Sequence, residues 1–224
     1  MTTVYIICEG KTEAVFVKNV IAPILAVNGR FVHPVQVGRQ WRGGNVTYSR
    51  LQTSIRDILR GHRSAYCSTL IDYYGLPPDF PGVNELAARQ ILANRAEILC
   101  SALVSALGAT IESEPMQRFI PYFQMHEFEA LMFSDPAIFA DAIGRPDLRS
   151  DFAEIRQKFD SPEHIDDSPV TAPSKRILAL YPEYEKPLMG ETATKAIGLP
   201  RIRQECPLFN AWLAKLESLP PPPA

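Results

Sequence analysis

The stretch TVYIICEGKTE, at residues 3–13, decides the fold of this chain. Its first six residues, Thr3 to Cys8, form a short apolar run with Val, Tyr and Ile, which predicts a buried strand. A turn, Glu9-Gly10-Lys11-Thr12, follows, and Thr12 is a suitable cap for a helix whose apolar residues recur at helical spacing. A buried strand that leads through a glycine turn into a helix is typical of the first unit of an α/β fold.

The rest of the first 135 residues repeats this alternation. Further strands are predicted at Phe31 to Val37, Tyr66 to Ile71 and Arg118 to Gln124, and helices at Tyr48 to Gly61, Asn84 to Leu107 and His126 to Phe133. We therefore expect a Rossmann-like parallel sheet of about four strands, flanked by helices, at residues 1–135. Only helical patterns and loops follow, so residues 136–224 are predicted to form a helical C-terminal lobe packed on this core, with a proline-rich tail at 220–224.

Composition places the chain among soluble globular proteins. Of 224 residues, 46% are hydrophobic and 21% charged, which excludes a disordered chain. No apolar run approaches the ~20 residues of a membrane helix, and no basic leader precedes the first apolar run. The four cysteines are scattered without a CxxC pair, which argues against a zinc knuckle or a disulfide framework and favours the cytoplasm.

The net charge of −2 conceals an uneven distribution along the chain. Residues 1–70 carry nine basic and three acidic residues, residues 71–170 carry seven and seventeen, and residues 171–224 carry seven and five. Basic ends around an acidic middle are suited to placing an anionic substrate beside a carboxylate site. The alternative is solubility charge without a functional pattern.

Acidic residues follow the predicted strands, at the sheet edge where parallel α/β proteins bind ligands. Glu9 follows the first strand, Asp72 the third, and Glu127 the fourth, with Glu129 two residues later. Carboxylates gathered in this way repel one another by about 4 kcal/mol per pair at ~4 Å in an effective dielectric of ~20. Mg²⁺ or Mn²⁺ is the natural cation to offset this repulsion, because hard cations take oxygen ligands and suit phosphoryl chemistry.

Plainer roles compete for some of these acids. Residues 127 and 129 are two apart and cannot face one point on a helix, so one of the two is expected to be a solvated first-turn acid. Glu13 is either part of the acidic group or an ordinary acid at a helix start. His126 is a candidate metal ligand, proton shuttle or capped histidine.

Several basic residues are candidates for binding phosphate. Lys11 lies in the first turn, although the P-loop spacing is absent. Arg56 and Arg60 share one face of the predicted helix 48–61 and either follow a nucleic-acid backbone or form a solvated face. Arg42, beside a tryptophan, either helps to stack a base or anchors its loop.

The segment IICEGKTE, residues 6–13, resembles the opening motif of Toprim domains, in which a strand ends in a Glu-Gly turn. Four other stretches resemble the Toprim-like domain-of-unknown-function family 4276. They are IDYYGLPPDFPG (71–82), IPYFQMHEFEALMFSD (120–135), APSKRI (172–177) and IGLPRIRQECPLFNAWLAKL (197–216). Together these stretches span nearly the whole chain.

The resemblance implies a Toprim-like core with Glu9 and Asp72 in the positions of the acidic motifs. It also implies an effector encoded beside a partner ATPase in bacterial anti-phage loci. The usual second motif, Asp-x-Asp, here reads Asp72-Tyr73-Tyr74, so Tyr74 replaces the second acid. The site is one ligand short unless Glu127, Glu129 or Asp79 supplies it.

The sequence therefore leads to a Mg²⁺- or Mn²⁺-dependent, nuclease-like function acting on nucleic acid. In this hypothesis Glu9 is a metal ligand or general base, Asp72 is a ligand, and Glu127 or Glu129 completes the site. Lys11 offsets charge on the phosphate. The nucleic-acid backbone is expected to contact residues of the C-terminal lobe, namely Lys175, Arg176, Arg201 and Arg203. The rival hypotheses are a catalytically degenerate subunit that binds a partner ATPase, and an enzyme acting on a small phosphorylated substrate.

Overall fold

The computed structural model of the protein describes residues 1–37, 46–86, 91–165 and 171–220. The strands in these ranges are β1 (Thr2–Cys8), β2 (Arg30–Gln36), β3 (Ala65–Asp72), β4 (Phe119–Ile120) and β5 (Phe123–Gln124). The α-helices are α1 (Lys11–Phe16), α2 (Ala22–Val27), α3 (Tyr48–Gly61), α4 (Leu92–Gly108), α5 (Ser113–Met116), α6 (Pro136–Ala142), α7 (Arg149–Gln157), α8 (Pro173–Leu180), α9 (Lys186–Ile197), α10 (Leu199–Glu205) and α11 (Pro207–Glu217). This α/β architecture with a helical C-terminal region confirms the predicted fold class.

The sheet is parallel and has β1 near its centre. Its strand order is β2-β1-β3-β4, and β5 also pairs with β3. In the register of the sheet, Ile6 of β1 lies opposite Pro34 of β2 on one side and Ser68 of β3 on the other. β2 tolerates its proline because it is an edge strand, where a missing N–H leaves no neighbour unpaired.

Alternating side chains of the strands pack into two cores, one on each face of the sheet. Val4 and Ile6 of β1 and Leu70 of β3 belong to the core that also contains the C-terminal helices. Ile7 and Ile71 face the opposite core, which contains the apolar faces of α3 and α4. The period of two along each strand is what allows one sheet to serve two layers of helices.

The C-terminal helices share their core with the first strand. Trp212, Leu213 and Leu216 of α11 lie in the same buried cluster as the β1 residues. The indole Nε1 of Trp212 also donates a hydrogen bond of 2.9 Å to Ser68 Oγ on β3. The division into a core at 1–135 and a lobe at 136–224 stays a prediction.

Several predicted elements differ in the structure. The helix expected from Asn84 begins at Leu92, and a 3₁₀ turn, Val83–Glu85, precedes it. The strand expected over 118–124 is two dipeptides, β4 and β5, because Pro121 between them has no N–H to donate to the ladder. The helix expected at 126–133 is a 3₁₀ segment, Phe128–Ser134.

The start of α1 also differs from the prediction. Thr12 does not cap this helix; Gly10 is the N-cap residue, and Thr12 lies inside the helix. A π-helical segment, Val17–Ile21, then joins α1 to α2. No helix in the described residues combines the length and apolarity needed to cross a membrane.

Candidate functional site

The parallel pairing brings three acidic strand ends to one edge of the sheet. Glu9 follows β1, Asp72 ends β3, and Glu127 comes three residues after β5. The backbone N–H of Asp72 donates a hydrogen bond of 3.3 Å to Glu9 Oε2. The first two predicted acids are therefore adjacent, as the strand-end argument requires.

Glu13 has both of the roles that the sequence offers it. Its Oε2 accepts a 2.8 Å hydrogen bond from the N–H of Gly10, which completes a capping box at the start of α1. The residue is buried, and burial together with the nearby charge of Glu9 raises the pKa of its carboxyl group above the usual range. Glu13 is thus a helix-start acid that also belongs to the acidic group.

Glu127 and Glu129 both reach the acidic group, although they are two residues apart. Glu127 has extended backbone, with φ −141° and ψ 155°, and the 3₁₀ segment begins after it. The expectation that one of the two is a solvated first-turn acid is wrong for Glu129, which is only 1% exposed. The α-helical spacing argument fails because the segment is not an α-helix.

Each of these two acids has its own partner from the C-terminal region. Glu127 Oε2 accepts a 2.8 Å hydrogen bond from the N–H of Ser174, and its Oε1 accepts one of 3.0 Å from the Ser174 hydroxyl. Glu129 Oε1 lies 2.8 Å from the ammonium Nζ of Lys186. Residues 174 and 186, at the starts of α8 and α9, therefore complete the surroundings of the acids.

One carboxylate oxygen of Asp72, Oδ1, is buried and has no hydrogen-bond partner in the described structure. Burial raises the pKa of Asp72 well above its usual value, and the charges of Glu13, Glu9 and Glu129 raise it further, against a hydrogen bond from the backbone of Phe128. A buried carboxylate oxygen without a donor indicates a site where a cation or proton is needed.

The five carboxylates form one electrostatic unit, which we call the acidic cluster: Glu9, Glu13, Asp72, Glu127 and Glu129. Burial raises the pKa of Glu9, and the charges of Glu129 and Glu127 add to the effect. Burial also raises the pKa of Glu129, and the ammonium of Lys186 opposes it. The charge of Lys186 also lowers the pKa of Glu9 and Glu13. Burial alone would lower the pKa of Lys186, but the charges of Glu129, Glu127 and Asp72 raise it.

Gly75 leaves room for the Glu9 carboxylate. A β-carbon at position 75 would lie 2.7 Å from Glu9 Oε2 and 2.8 Å from Oε1, distances that are too short for any real contact. The residue belongs to the 3₁₀ turn Tyr73–Gly75, which follows Asp72 directly. Glycine at this position therefore lets the backbone approach the acidic cluster closely.

Tyr74 and His126 lie beside the acidic cluster in a polar and aromatic turn. The N–H of Tyr74 donates a 3.1 Å hydrogen bond to the carbonyl of His126, and their rings are 5.4 Å apart. His126 has a left-handed backbone with φ 67° and a buried ring whose Nδ1 has no hydrogen-bond partner in the described residues. Burial lowers the pKa of His126 to about 4, so the ring is neutral at physiological pH. Asp79 is exposed in the following turn.

The predicted nucleic-acid-binding residues are scattered over the protein. Arg60 pairs with Glu112 at 2.9 Å, and with Thr3 and Ala65 it lines a groove at the opposite end of the strands from Glu9. Arg56 lies earlier on the same helix, beside Asp57. Arg42 lies outside the described residues.

The basic residues predicted in the C-terminal region also differ in their surroundings. Arg203 pairs with Glu217 at 2.6 Å, and Arg201 pairs with Glu205 at 2.9 Å. The guanidinium of Arg176 lies over the ring of Phe159, 5.2 Å from the ring centroid, and its Nε donates a 2.6 Å hydrogen bond to the carbonyl of Thr171. Lys175 is exposed and adjacent in sequence to Ser174, and Lys11 is exposed at the first residue of α1. These two lysines are therefore the predicted basic residues that lie next to residues of the site.

Several described side chains that could bind a metal already have partners within the protein. No group of three or more His, Cys, Asp or Glu side chains in the described residues is arranged to chelate a metal ion. Glu127 and Glu129 are held by Ser174 and Lys186. Glu9 and Asp72 are consequently the two acids best placed to bind a cation.

The sequence profile described as "Domain of unknown function (DUF4276)" matches residues 8–217. The chain belongs to this family. The match includes the whole acidic cluster together with Ser174 and Lys186. Comparison with curated proteins and with solved structures gives no match.

Sequence reasoning missed three residues of the candidate site. Lys186 and Ser174 follow no predicted strand, and no periodic pattern connects them with the acids. Ser174 lies inside the stretch APSKRI, and Gly75 inside IDYYGLPPDFPG, both of which resemble the family. A glycine soon after a strand-end acid was the available signal for Gly75, because a close approach of backbone to a site favours glycine.

Proposed function

We propose that this DUF4276 protein is a Mg²⁺- or Mn²⁺-dependent phosphodiester hydrolase of nuclease type, with a Toprim-like core. The observation that supports it is the acidic cluster at the carboxyl ends of the parallel strands. Five carboxylates act on one another there, and Asp72 keeps a buried oxygen without a partner. Among the described residues, Lys186 supplies one positive charge to this group through its pair with Glu129, so a divalent cation is the simplest way to offset the rest.

The donor set fits a magnesium-like ion. Mg²⁺ keeps several waters and is usually bound through one or two carboxylates together with substrate phosphates, so it does not need a cage of three side chains. Glu9 and Asp72 would hold the ion. When bound, such an ion activates water and neutralises charge on phosphate oxygens.

The protein's own residues supply orientation and charge. The hydrogen bond from the N–H of Asp72 holds the Glu9 carboxylate in place, and burial raises the pKa of that carboxyl group. Lys11 and Lys175 are exposed cations next to the site, where they are suited to contacting a phosphate backbone. A negatively charged strand would therefore meet positive charge at the rim before it reaches the acids.

The test compares cleavage of plasmid DNA and of RNA in Mn²⁺ by the wild type, Glu9→Gln and Asp72→Asn. Asp79→Asn is the matched control, because Asp79 is an exposed acid in the turn that follows the site. We expect the two cluster variants to lose at least about 10²-fold in rate, as for loss of a principal electrostatic group. Equal rates in all four proteins would end the catalytic proposal.

The second candidate is a catalytically degenerate subunit that binds a partner ATPase, as in bacterial anti-phage systems. Two observations favour it: Tyr74 replaces the second acid of the Asp-x-Asp motif, and Lys186 already neutralises Glu129. It predicts tight binding of a purified partner ATPase without Mn²⁺ binding. Calorimetry with Mn²⁺ separates the candidates, since only the hydrolase requires the ion.

A further inference from the structure

Lys186 is the cation that the fold itself supplies to the acidic cluster. Its Nζ lies 2.8 Å from Glu129 Oε1, and its side chain is 45% exposed whereas that of Glu129 is 2% exposed. The Lys186 side chain therefore extends from a half-exposed position to a buried acid. Its charge acts on all five carboxylates of the acidic cluster.

The packing of α9 fixes the place of this ammonium. Lys186 is the first residue of α9, and Pro187 occupies the next position, where its ring is compatible with a helix start. One turn later, a β-carbon at Gly190 would lie 3.3 Å from Thr12 Cγ2 and 3.3 Å from a ring carbon of Phe128. The absence of a side chain at position 190 lets α9 approach α1 and the 3₁₀ segment closely, and this approach brings Lys186 to Glu129.

The position of Lys186 limits how many divalent ions the acidic cluster can bind. Carboxylates that bind two divalent ions need enough free oxygens for both, and here Tyr74 provides no carboxylate. Glu129, which could serve a second ion, is instead occupied by the ammonium. The cluster thus divides into Glu9 and Asp72, which are open to a metal ion, and Glu129, which is neutralised from within.

We propose that Lys186 takes the place of a second divalent ion, so that the site binds one metal ion per chain and the ammonium of this half-exposed side chain meets a phosphate oxygen of the substrate. This inference rests on the proposed function. It assigns Lys186 as a residue that both limits metal stoichiometry and contacts substrate. Neither role was predicted from the sequence.

The test measures Mn²⁺ binding by calorimetry, with the bound ions counted by electron paramagnetic resonance. We expect one Mn²⁺ per wild-type chain. Lys186→Gln removes a positive charge from the acidic cluster, so we expect Mn²⁺ to bind about tenfold more tightly or a second ion to bind. Lys195→Gln is the matched control, because Lys195 is also on α9 and pairs with Glu191 away from the cluster. It should bind one ion with wild-type affinity.

A double variant keeps the test valid if Lys186→Gln fails to fold. Removing the lysine leaves a buried carboxylate without its partner, which is strongly destabilising. Lys186→Gln with Glu129→Gln removes both charges, and we expect this protein to bind one ion and to lose affinity for inorganic phosphate in the presence of Mn²⁺. Two Mn²⁺ ions bound to the wild-type chain would overturn this inference without affecting the proposed function. The same holds if Lys186→Gln keeps wild-type Mn²⁺ affinity and the double variant keeps wild-type phosphate affinity. No Mn²⁺ binding by the wild type would instead overturn the proposed function, and the inference with it.

Discussion

Replacing Gly75 with alanine displaces the Glu9 carboxylate while leaving the backbone conformation unchanged. The new β-carbon would lie 2.7 Å and 2.8 Å from the two carboxylate oxygens. Restoring an ordinary contact of 3.4 Å requires the Glu9 oxygens to move by about 0.7 Å. Gly75 does not have a positive φ, so alanine is compatible with its backbone.

The displacement should affect chemistry more than stability. A misplacement of about 1 Å in a catalytic group can lower the rate about 10²-fold, which corresponds to about 2.7 kcal/mol of transition-state stabilisation. The group that must move is the end of a flexible side chain, so we expect the free energy of unfolding to change by less than about 1 kcal/mol. The 3.3 Å hydrogen bond from the N–H of Asp72 to Glu9 should be lost.

The assay combines Mn²⁺ calorimetry with Mn²⁺-dependent cleavage, and urea unfolding reports stability. Gly108→Ala is the matched control, because a β-carbon at position 108 would meet nothing within 4 Å. We expect the control to keep wild-type Mn²⁺ affinity and rate. If Gly75→Ala also kept both, Glu9 would not be a metal ligand or base, and the reasoning would be refuted.

Three further predictions concern stability. In the absence of divalent ions, Asp72→Asn should become more stable relative to the wild type as the pH rises from 5 to 8. The pKa of Asp72 is raised in the folded protein, so its ionisation destabilises the wild-type fold. Urea titrations that show no such difference would contradict this prediction. Burial raises the pKa of Glu163 to about 7. The free energy of unfolding of the wild type should therefore fall by up to about 3 kcal/mol as the pH rises from about 4.5 to 7. Urea titrations of Glu163→Gln should not show this pH dependence. Ser174→Ala should lower the free energy of unfolding by about 1–2 kcal/mol, because it removes the 3.0 Å hydrogen bond from the Ser174 hydroxyl to Glu127 but keeps the one from the Ser174 N–H. A change in melting temperature no larger than that of an exposed Ser→Ala variant would contradict this prediction.

The sequence was sufficient to predict the candidate site residues that lie at the carboxyl ends of the strands. Glu9 and Asp72 could be placed together because parallel strands end at one edge, and no knowledge of side-chain packing was needed. Glu129 was harder, because the prediction assumed an α-helix where the chain forms a 3₁₀ segment after an extended Glu127. The local sequence does not distinguish these helices, since tertiary burial of the whole segment decides the outcome.

The partners of the acids could not be predicted by the same means. Lys186 reaches Glu129 through the packing of α9 on α1, which depends on contacts between residues that are far apart in sequence. The start of α4 was misplaced for a related reason. Val83 and Leu86 fit a helical pattern, yet Gly82 has a φ of 86° and lies against the backbone of α4, so the chain turns there before the helix begins.

The core that unites β1 with α11 has a consequence for biosynthesis. Val4 and Ile6 leave the ribosome long before Trp212 and Leu216, which lie in the same buried cluster. Contacts of such long sequence separation form late and slow folding. The nascent chain therefore carries Glu129 without its ammonium partner until Lys186 has been synthesised, and a product truncated before α9 would lack both this counter-charge and the apolar side chains that the last helices contribute to the core.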